Sequence, residues 1–362
     1  MADRSDRAEA DGADRITAAA RALSLGARYA LVGRLRRAGG EARLSVELLD
    51  CATDTQLWSA RYACGASDLP GLQAQIAAAV FQKIAPELTS AETRRVLRKK
   101  PGDLSAWELT LKGLWHFHRA NPVDSAEALR LLEEATRVDP GFALPWSLIA
   151  LARFELALKG WTVAGKGALR DAFRDMLAAA KTSVELDPSG WMGHALVSAG
   201  ELWTNYSFPA ARLHASRAIE LNPSASMAYH FSGCISGFSG DLAAAIAAQE
   251  TVHRLDPAYA YMDVVEADLG LWRLLQGDLD RAQAHLEKAL GINPRNARAK
   301  QRQVALAGLR KDAAAARRAV EELQGLGGAT DKGYWLASYP FQDPEHTAIF
   351  WRGLTQAGLL KK

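Results

Sequence analysis

The sequence contains little cysteine. Three cysteines, Cys51, Cys64 and Cys234, occur among 362 residues, and no two of them form a Cys-x-x-Cys pair. An odd number of widely spaced cysteines argues against a disulfide framework, and the spacing is not that of a structural zinc site. This cysteine usage is typical of a protein from a reducing compartment.

Long apolar runs and an excess of charge of one sign are also absent. No stretch approaches the roughly 18 uninterrupted apolar residues that a membrane-spanning helix needs. Residues 1–14 mix Asp, Glu and Arg with Ala and Gly and do not read as a secretory signal, so we expect them to be disordered. The formal net charge is +3, too small to indicate nucleic acid or an anionic membrane as the main partner. We therefore expect a cytoplasmic protein that binds no membrane and, by this chain alone, no nucleic acid.

The sequence also has no constellation that points to catalysis or metal binding. His116 and His118 lie two apart on a predicted helix, so they face different sides and cannot share a metal. Gly160–Gly167 resembles a phosphate-binding loop, but Gly167 replaces the hydroxyl residue that holds magnesium, and a predicted helix precedes the segment. The basic run Arg94–Lys100 is interpreted as a solvated helix end and linker rather than an anion site. We predict no catalytic residue, cofactor or metal.

What the sequence does contain is a repeated phrase of an apolar residue, then Asp or Asn, then Pro. The apolar residue closes a helix, Asp or Asn favours a turn, and Pro cannot continue that helix but can open the next. The five copies are Val138–Pro140, Leu186–Pro188, Leu221–Pro223, Leu255–Pro257 and Ile292–Pro294. Successive prolines are 48, 35, 34 and 37 residues apart, and a loop insertion at about Lys159–Ala168 explains the longest spacing.

Small residues recur in register with these prolines. Alanines stand 12 and 5 residues before three of them, where two helices must touch: Ala128 and Ala135, Ala211 and Ala218, Ala282 and Ala289. Gly240 and Gly277, each followed by Asp-Leu, are predicted at the turn within a helix pair. Over roughly Leu104–Leu323 these features resemble the tetratricopeptide family, whose repeat is about 34 residues long. The resemblance implies about five helix pairs and a partial sixth, stacked into a protein-binding solenoid.

The N-terminal part has a different pattern. Apolar alternation predicts three strands, Tyr29–Arg36, Ala42–Leu49 and Thr55–Tyr62, with Gly39-Gly40 as a hairpin turn. Helices are predicted at residues 14–26 and from Asp68 onward, which gives the order α-β-β-β-α.

Several segments carry a second resemblance. They are Tyr29–Gly39, Val46–Asp50, Leu57–Tyr62 and Leu72-Gln73, together with Tyr339–Pro344 and Gly353–Leu359 near the C-terminus. They are similar to the second half of the TolB-like domain, and to the tail, of bacterial class III adenylate cyclases and winged-helix regulators that carry tetratricopeptide repeats. Those relatives have a catalytic or DNA-binding domain upstream that this chain has no room for. The resemblance implies a context of cyclic-nucleotide signalling or transcription and transfers no catalytic residue.

We therefore predict a mainly α protein: a tetratricopeptide-type helical solenoid preceded by a small, partial α/β domain. The predicted organisation is a disordered segment 1–14, a partial TolB-like domain 15–88, a basic linker 89–103, a repeat array 104–325 and a capping tail 326–362. The missing half of the TolB-like domain should leave a sheet edge unpaired. Three outcomes are open: pairing with another copy, strands supplied by a separate chain, or a loosely folded segment. We favour self-association or looseness.

The expected functional surface is the groove formed by the first helices of the pairs. Family positions place seven mostly apolar residues there: Leu151, Phe154, Leu196, Trp203, His230, Cys234 and Phe238. Trp203 and Phe238 are the expected anchors, because aromatic residues supply much of the energy of such interfaces. This lining suits an amphipathic helix or an extended apolar segment of a protein partner. Occupation of the groove by the chain's own tail, Tyr334–Leu360, is weighed equally.

The expected function is a non-catalytic, regulatory scaffold for protein–protein interaction. The alternative is an accessory region or fragment of a class III adenylate cyclase that carries tetratricopeptide repeats and whose catalytic domain is absent from this chain.

Overall fold

The computed structural model describes residues 29–38, 41–51, 55–65, 105–119, 121–159, 168–326 and 338–360. The chain divides into two compact units, Met1–Leu104 and Ser105–Lys362, and each is described by itself. The two helices predicted around the N-terminal strands, the basic run and the Gly160–Gly167 loop lie outside the described residues.

The first unit contains a three-stranded antiparallel sheet in the order β1-β2-β3. The strands are β1 Tyr29–Ala38, β2 Glu41–Asp50 and β3 Thr55–Gly65. The three predicted strands are confirmed, and each is at most three residues longer than predicted. Val46 and Leu48, on one face of the central strand, are buried, as the alternation predicts. A register shift interrupts the pairing of β2 with β3 between Leu48 and Leu49.

The second unit is helical. Within its described residues, twelve α-helices follow one another as six pairs, and a thirteenth comes after them. The helices are α1 Ala106–Phe117, α2 Pro122–Val138, α3 Ala143–Lys159, α4 Ala168–Leu186, α5 Trp191–Gly200, α6 Phe208–Leu221, α7 Ser226–Ser239, α8 Leu242–Leu255, α9 Met262–Leu275, α10 Leu279–Ile292, α11 Ala297–Leu309, α12 Ala313–Gly325 and α13 Pro344–Gln356. The odd-numbered helices α1 to α11 are the first helices of the six pairs.

The repeated Asp-Pro and Asn-Pro phrases end the second helices through one common turn. In each phrase the side-chain oxygen of the Asp or Asn accepts a hydrogen bond from the backbone N–H two residues later, at 2.9 to 3.2 Å. The hydrogen bond therefore joins the residue before the proline to the residue after it, because the proline itself has no backbone N–H to donate. The five residues are Asp139, Asp187, Asn222, Asp256 and Asn293. The turn chemistry predicted from the sequence is confirmed.

Glycine and aspartate form the turn within two of the pairs. Gly240 and Gly277 have φ values of 107° and 81°, the left-handed region where a side chain would be strained. Asp241 and Asp278 then cap the following helices, each accepting a hydrogen bond from a backbone N–H in the first turn. The predicted position of these two glycines is confirmed.

Small residues set the spacing between paired helices. All six alanines predicted at helix contacts are 0% exposed. Gly270 on α9 has the same role, because a Cβ there would lie 2.7 Å from Leu286 Cδ2 on α10. The register of the repeats, read from the prolines alone, is therefore confirmed.

The third pair departs from regular α-helix. After α5 the backbone continues as a π-helical turn, Glu201–Asn205, and ends at Tyr206, whose φ is 52°. Such turns insert an extra residue into the helix and re-aim the side chains around it. Trp203 lies in this turn.

Helix α13 returns to the first helices of the later pairs. Gly353 on α13 lies so close to α11 that a Cβ on Gly308 would overlap its backbone carbonyl. Phe350 and Leu354 are buried at this contact.

In the described part of the chain, no helix has the length and apolar character needed to cross a membrane.

Candidate functional site

All seven residues predicted to line the groove are buried. Leu151 and Phe154 lie on α3, Leu196 on α5 and Trp203 in the π-helical turn, while His230, Cys234 and Phe238 lie on α7. Their exposed fractions run from 0% to 6%. They belong to one apolar cluster that spans the first helices, with His230 beside it. We call the side of α3, α5 and α7 that carries these residues, together with the neighbouring side of α9 and α11, the inner face.

Aromatic rings form the centre of the inner face. The Trp203 indole stacks on Phe173, with ring centroids 5.9 Å apart, and lies 6.0 Å from Phe154 and 6.3 Å from Phe238. Phe238 in turn meets the Trp272 ring edge-on at 5.1 Å. These rings link four helix pairs, and each such contact adds to the burial energy of its side chains.

The chain's own tail covers Phe238. The rings of Tyr339 and Phe341 lie 6.3 and 5.3 Å from the Phe238 ring, and the Gln342 N–H donates to the Phe238 carbonyl oxygen at 2.8 Å. Of the two occupants weighed from the sequence, the tail is therefore present at this end of the inner face. A groove that binds an external partner stays a prediction, and at Phe238 it requires the tail to leave.

Beside the aromatic rings lies a buried charged network, which we call the Asp268 network. One carboxylate oxygen of Asp268 on α9 accepts hydrogen bonds from His230 Nε2–H at 3.1 Å and Cys234 Sγ–H at 3.3 Å. The other accepts from Arg302 Nη2 on α11 at 2.6 Å. The Arg302 side chain is 0% exposed and that of Asp268 is 3% exposed. The network joins α7, α9 and α11.

Burial and charge act in opposite directions on Asp268. Burial alone raises the pKa of a carboxyl group, but the Arg302 guanidinium and the His230 hydrogen bond outweigh it and hold the pKa of Asp268 well below its usual range. Burial, with the Asp268 charge adding to it, raises the pKa of the Cys234 thiol well above its ordinary value. Cys234 is therefore a protonated hydrogen-bond donor and a poor nucleophile.

Three groups of this network also have the composition of a metal site. A ring nitrogen of His230, the Cys234 sulfur and an Asp268 oxygen all lie within 4.8 Å of one another. Zinc sites use these atom types. Here, however, the Arg302 guanidinium already supplies the positive charge that compensates Asp268. The geometry therefore fits a charge-compensated hydrogen-bond network better than a cation site.

Two arginines of α11 face aromatic rings. Arg298 lies 5.7 Å from the Trp203 ring centroid and 5.9 Å from that of Tyr339, and Arg302 lies 5.7 Å from that of Tyr339. These distances are within the range of cation–π attraction. Several buried N–H groups nearby have no acceptor among the residues that the structure describes: Arg302 Nε and Nη1, Trp203 Nε1 and Trp272 Nε1. The inner face thus holds hydrogen-bond donors that residues 338–360 of the tail leave unused.

Asp268 and Arg302 were not predicted from the sequence as members of this site, and Tyr339 was predicted only as part of the tail Tyr334–Leu360 that could fill the groove. Asp268 carried a weak signal, because it is followed by the mostly apolar run Leu269–Trp272, although the same helix also contains Asp263 and Glu266. A charged residue in such a stretch is rarely buried without a partner. Arg302 carried no comparable signal, since α11 also contains other basic residues.

Comparison with known proteins supports the helical repeats. A family model described as tetratricopeptide repeat matches residues 269–296, from α9 to the residue before α11. A protein named "Putative adenylate cyclase 3" from Rhizobium meliloti (strain 1021) is 28% identical over 179 residues. The match covers 49% of this chain but only 30% of that protein's length.

One solved structure shares the fold with a TM-score above 0.5, and a second is similar at a lower score. The APC/C hetero-tetramer Cut9–Hcn1 matches with a TM-score of 0.53 at 13% identity, over 76% of this chain and 48% of that chain. A thermophilic TPR protein from Thermus thermophilus matches with a TM-score of 0.42 at 18% identity, over 61% of this chain and 100% of that chain. The first of these supports the architecture, and identities this low show the fold alone. The chain is thus a mainly α protein with a small three-stranded sheet and a tetratricopeptide-type helical solenoid.

Proposed function

We propose that this chain is a non-catalytic scaffold that holds a protein partner within a bacterial regulatory assembly. The supporting observation is the stack of six helix pairs, whose first helices are joined by one continuous apolar cluster rich in aromatic rings. Repeat solenoids use such extended faces for binding other proteins. The Asp268 network is a polar cluster on that face. Its hydrogen bonds join three helices, and the raised pKa of its Cys234 thiol makes that thiol a poor nucleophile.

The proposed partner segment is an amphipathic helix or an extended apolar segment. Rings such as Phe154, Trp203 and Phe238 provide apolar area, and aromatic contacts of this kind dominate the energy of interfaces. The proposed location is the cytoplasm, which agrees with three widely spaced cysteines.

A second candidate is an accessory region of a class III adenylate cyclase. It is supported by the match to the Rhizobium meliloti protein, although this chain spans less than a third of that protein. The TolB-like resemblance of the N-terminal strands points the same way and stays a prediction, as does the link to winged-helix regulators. In this role the solenoid would recruit a regulator to the cyclase.

Photo-crosslinking tests the scaffold function. A photoreactive amino acid is placed at Gln342, an exposed position next to Phe238, in the full chain expressed in its native bacterium. The matched control carries the same group at Leu213, which is 68% exposed on the second helix α6. We expect a discrete adduct from Gln342 and none from Leu213.

The identity of the adduct separates the two candidates. An adduct with a protein that carries a cyclase catalytic domain supports the second candidate, and an adduct with any other defined protein supports the first. Irradiation that yields no discrete adduct at Gln342 overturns the scaffold function at this face.

A further inference from the structure

We propose that Tyr339–Gln342 is a displaceable internal ligand, and that the site beneath it binds a partner segment with aromatic side chains two positions apart. The proposal rests on the scaffold function above and names the class of partner. We call these four residues the resident segment.

The resident segment turns at Pro340 and holds its two aromatic rings against the same residue. The Phe341 N–H donates to the Tyr339 carbonyl oxygen at 2.8 Å, which closes a γ-turn centred on Pro340. The rings of Tyr339 and Phe341 stack at 6.0 Å, and both meet Phe238. The Gln342 N–H donates to the carbonyl of Phe238, near the end of α7. The last carbonyls of a helix have no partner within it, so they are available to any segment that lies across the helix end.

The first aromatic position is specific for tyrosine. The Tyr339 hydroxyl donates to Gln301 Oε1 at 2.8 Å in a buried environment. Its ring lies against the guanidinium groups of Arg298 and Arg302. Phenylalanine would keep the ring contacts but leave the Gln301 oxygen without this donor. At the second position, the interactions described for the Phe341 side chain are ring contacts with Phe238, Tyr339 and Phe350.

Two features make the resident segment replaceable. First, it leaves buried donors unsatisfied, among them Nε and Nη1 of Arg302. An unpaired buried donor weakens the state that contains it, so a partner segment that supplies acceptors gains an advantage over the resident one. Second, α13 has its own anchor, because Gly353 lies directly against Gly308 of α11. The resident segment can therefore leave the site while α13 stays in place.

A labelled peptide tests the proposal. The probe is a fluorescein-labelled peptide with the sequence of residues 337–345, Ala-Ser-Tyr-Pro-Phe-Gln-Asp-Pro-Glu. Its binding to the full wild-type chain is compared, by anisotropy, with binding to the Tyr339→Ala/Phe341→Ala double variant. If the resident segment leaves the site open in about one molecule in ten, its loss tightens the apparent affinity by about tenfold.

The matched control is the same peptide with alanine at both aromatic positions, and we expect it not to bind. The proposal is overturned if the probe binds the double variant no more tightly than the wild type, or if the alanine peptide binds equally well. Circular dichroism of the double variant at the assay temperature shows whether the solenoid is intact.

Hydrogen exchange provides a test that needs no substitution. In the wild-type chain the Gln342 amide, which is bonded to Phe238, should exchange at least about a hundredfold faster than the amides of α9, because the resident segment opens locally. Equal protection of Gln342 and α9 would show that the segment opens only when the solenoid unfolds, and the proposal would fail.

The peptide-binding assay and the crosslinking experiment can fail independently of each other. If the crosslink at Gln342 forms but the peptide does not bind, the scaffold function stands and the resident-segment proposal is overturned. If the peptide binds but no crosslink forms, the site exists and the proposed cellular function is the part that fails.

Discussion

Replacing Asp268 by asparagine should destabilise the solenoid strongly. The substitution keeps the shape of the side chain but removes the negative charge that faces Arg302 at 2.6 Å. Arg302 is 0% exposed, so its charge cannot be solvated by water instead. Removing one partner of a buried ion pair costs about 3–5 kcal/mol, because the other charge stays buried without compensation.

Urea unfolding measures this loss. With a slope of about 3 kcal/mol per molar urea, a loss of 3–5 kcal/mol lowers the unfolding midpoint by about 1–1.7 M. Far-UV circular dichroism and tryptophan fluorescence are followed together, since the network joins α7, α9 and α11. Asp268→Leu combined with Arg302→Met should recover part of the loss, because that change removes both buried charges.

An exposed ion pair of the same type is the control. Arg310 and Asp280 are 2.5 Å apart at their closest atoms, but the Asp280 side chain is 96% exposed. Asp280→Asn should leave the midpoint nearly unchanged, because exposed pairs contribute little. The reasoning is refuted if Asp268→Asn shifts the midpoint no more than Asp280→Asn does.

Four further predictions concern the stability, metal binding and dynamics of the chain. Ala218→Leu should cost about 1–3 kcal/mol of stability by overpacking a fully buried helix contact, measured by urea unfolding; an unchanged midpoint would contradict the assigned register. The lowered pKa of Asp268 means that its contribution to stability is present above the ordinary carboxyl pKa of about 3.9 and is lost as the pH falls below it. The thermal midpoint of the wild type should therefore fall more between pH 6 and pH 3 than that of Asp268→Asn, and parallel curves would refute this. Zinc at micromolar concentration should leave the wild-type thermal midpoint unchanged, whereas a rise that Cys234→Ala abolishes would show a metal site. Amides of residues 29–65 should exchange faster than those of the repeats, or be protected only at concentrations where light scattering reports a dimer; strong protection in a dilute monomer would count against a truncated sheet.

The parts of the fold that depend on local spacing could be predicted from the sequence. The Asp-Pro and Asn-Pro turns, the helix-contact alanines such as Ala128, and the turn glycines Gly240 and Gly277 all act within one repeat. A fixed distance along the chain is enough to place them. The three strands were predictable for the same reason, since a period of two specifies which residues share a face.

The features that depend on contacts distant in sequence could not be predicted. Asp268 and Arg302 come from different helix pairs, and nothing in the spacing of either residue shows that they meet. The π-helical turn that positions Trp203 has no sequence signature comparable to a proline or glycine. Family positions identified Phe238 as a groove residue, but its burial depends on where the tail lies, which the repeat pattern does not encode.

The return of the tail to α7 has a consequence for how the solenoid unfolds. In a simple repeat array each unit touches only its neighbours, so the terminal units fray independently and unfolding spreads inward from the ends. Here the Gln342 N–H donates a hydrogen bond to the Phe238 carbonyl oxygen on α7. The Arg298 guanidinium on α11 lies 5.7 Å from the ring centroid of Trp203, in the π-helical turn that follows α5. These contacts bypass the intervening repeats and join the C-terminal end to the middle of the array. Fraying of α11 therefore has to break contacts with earlier repeats, and we expect the C-terminal half of the solenoid to unfold more cooperatively than a simple repeat array does.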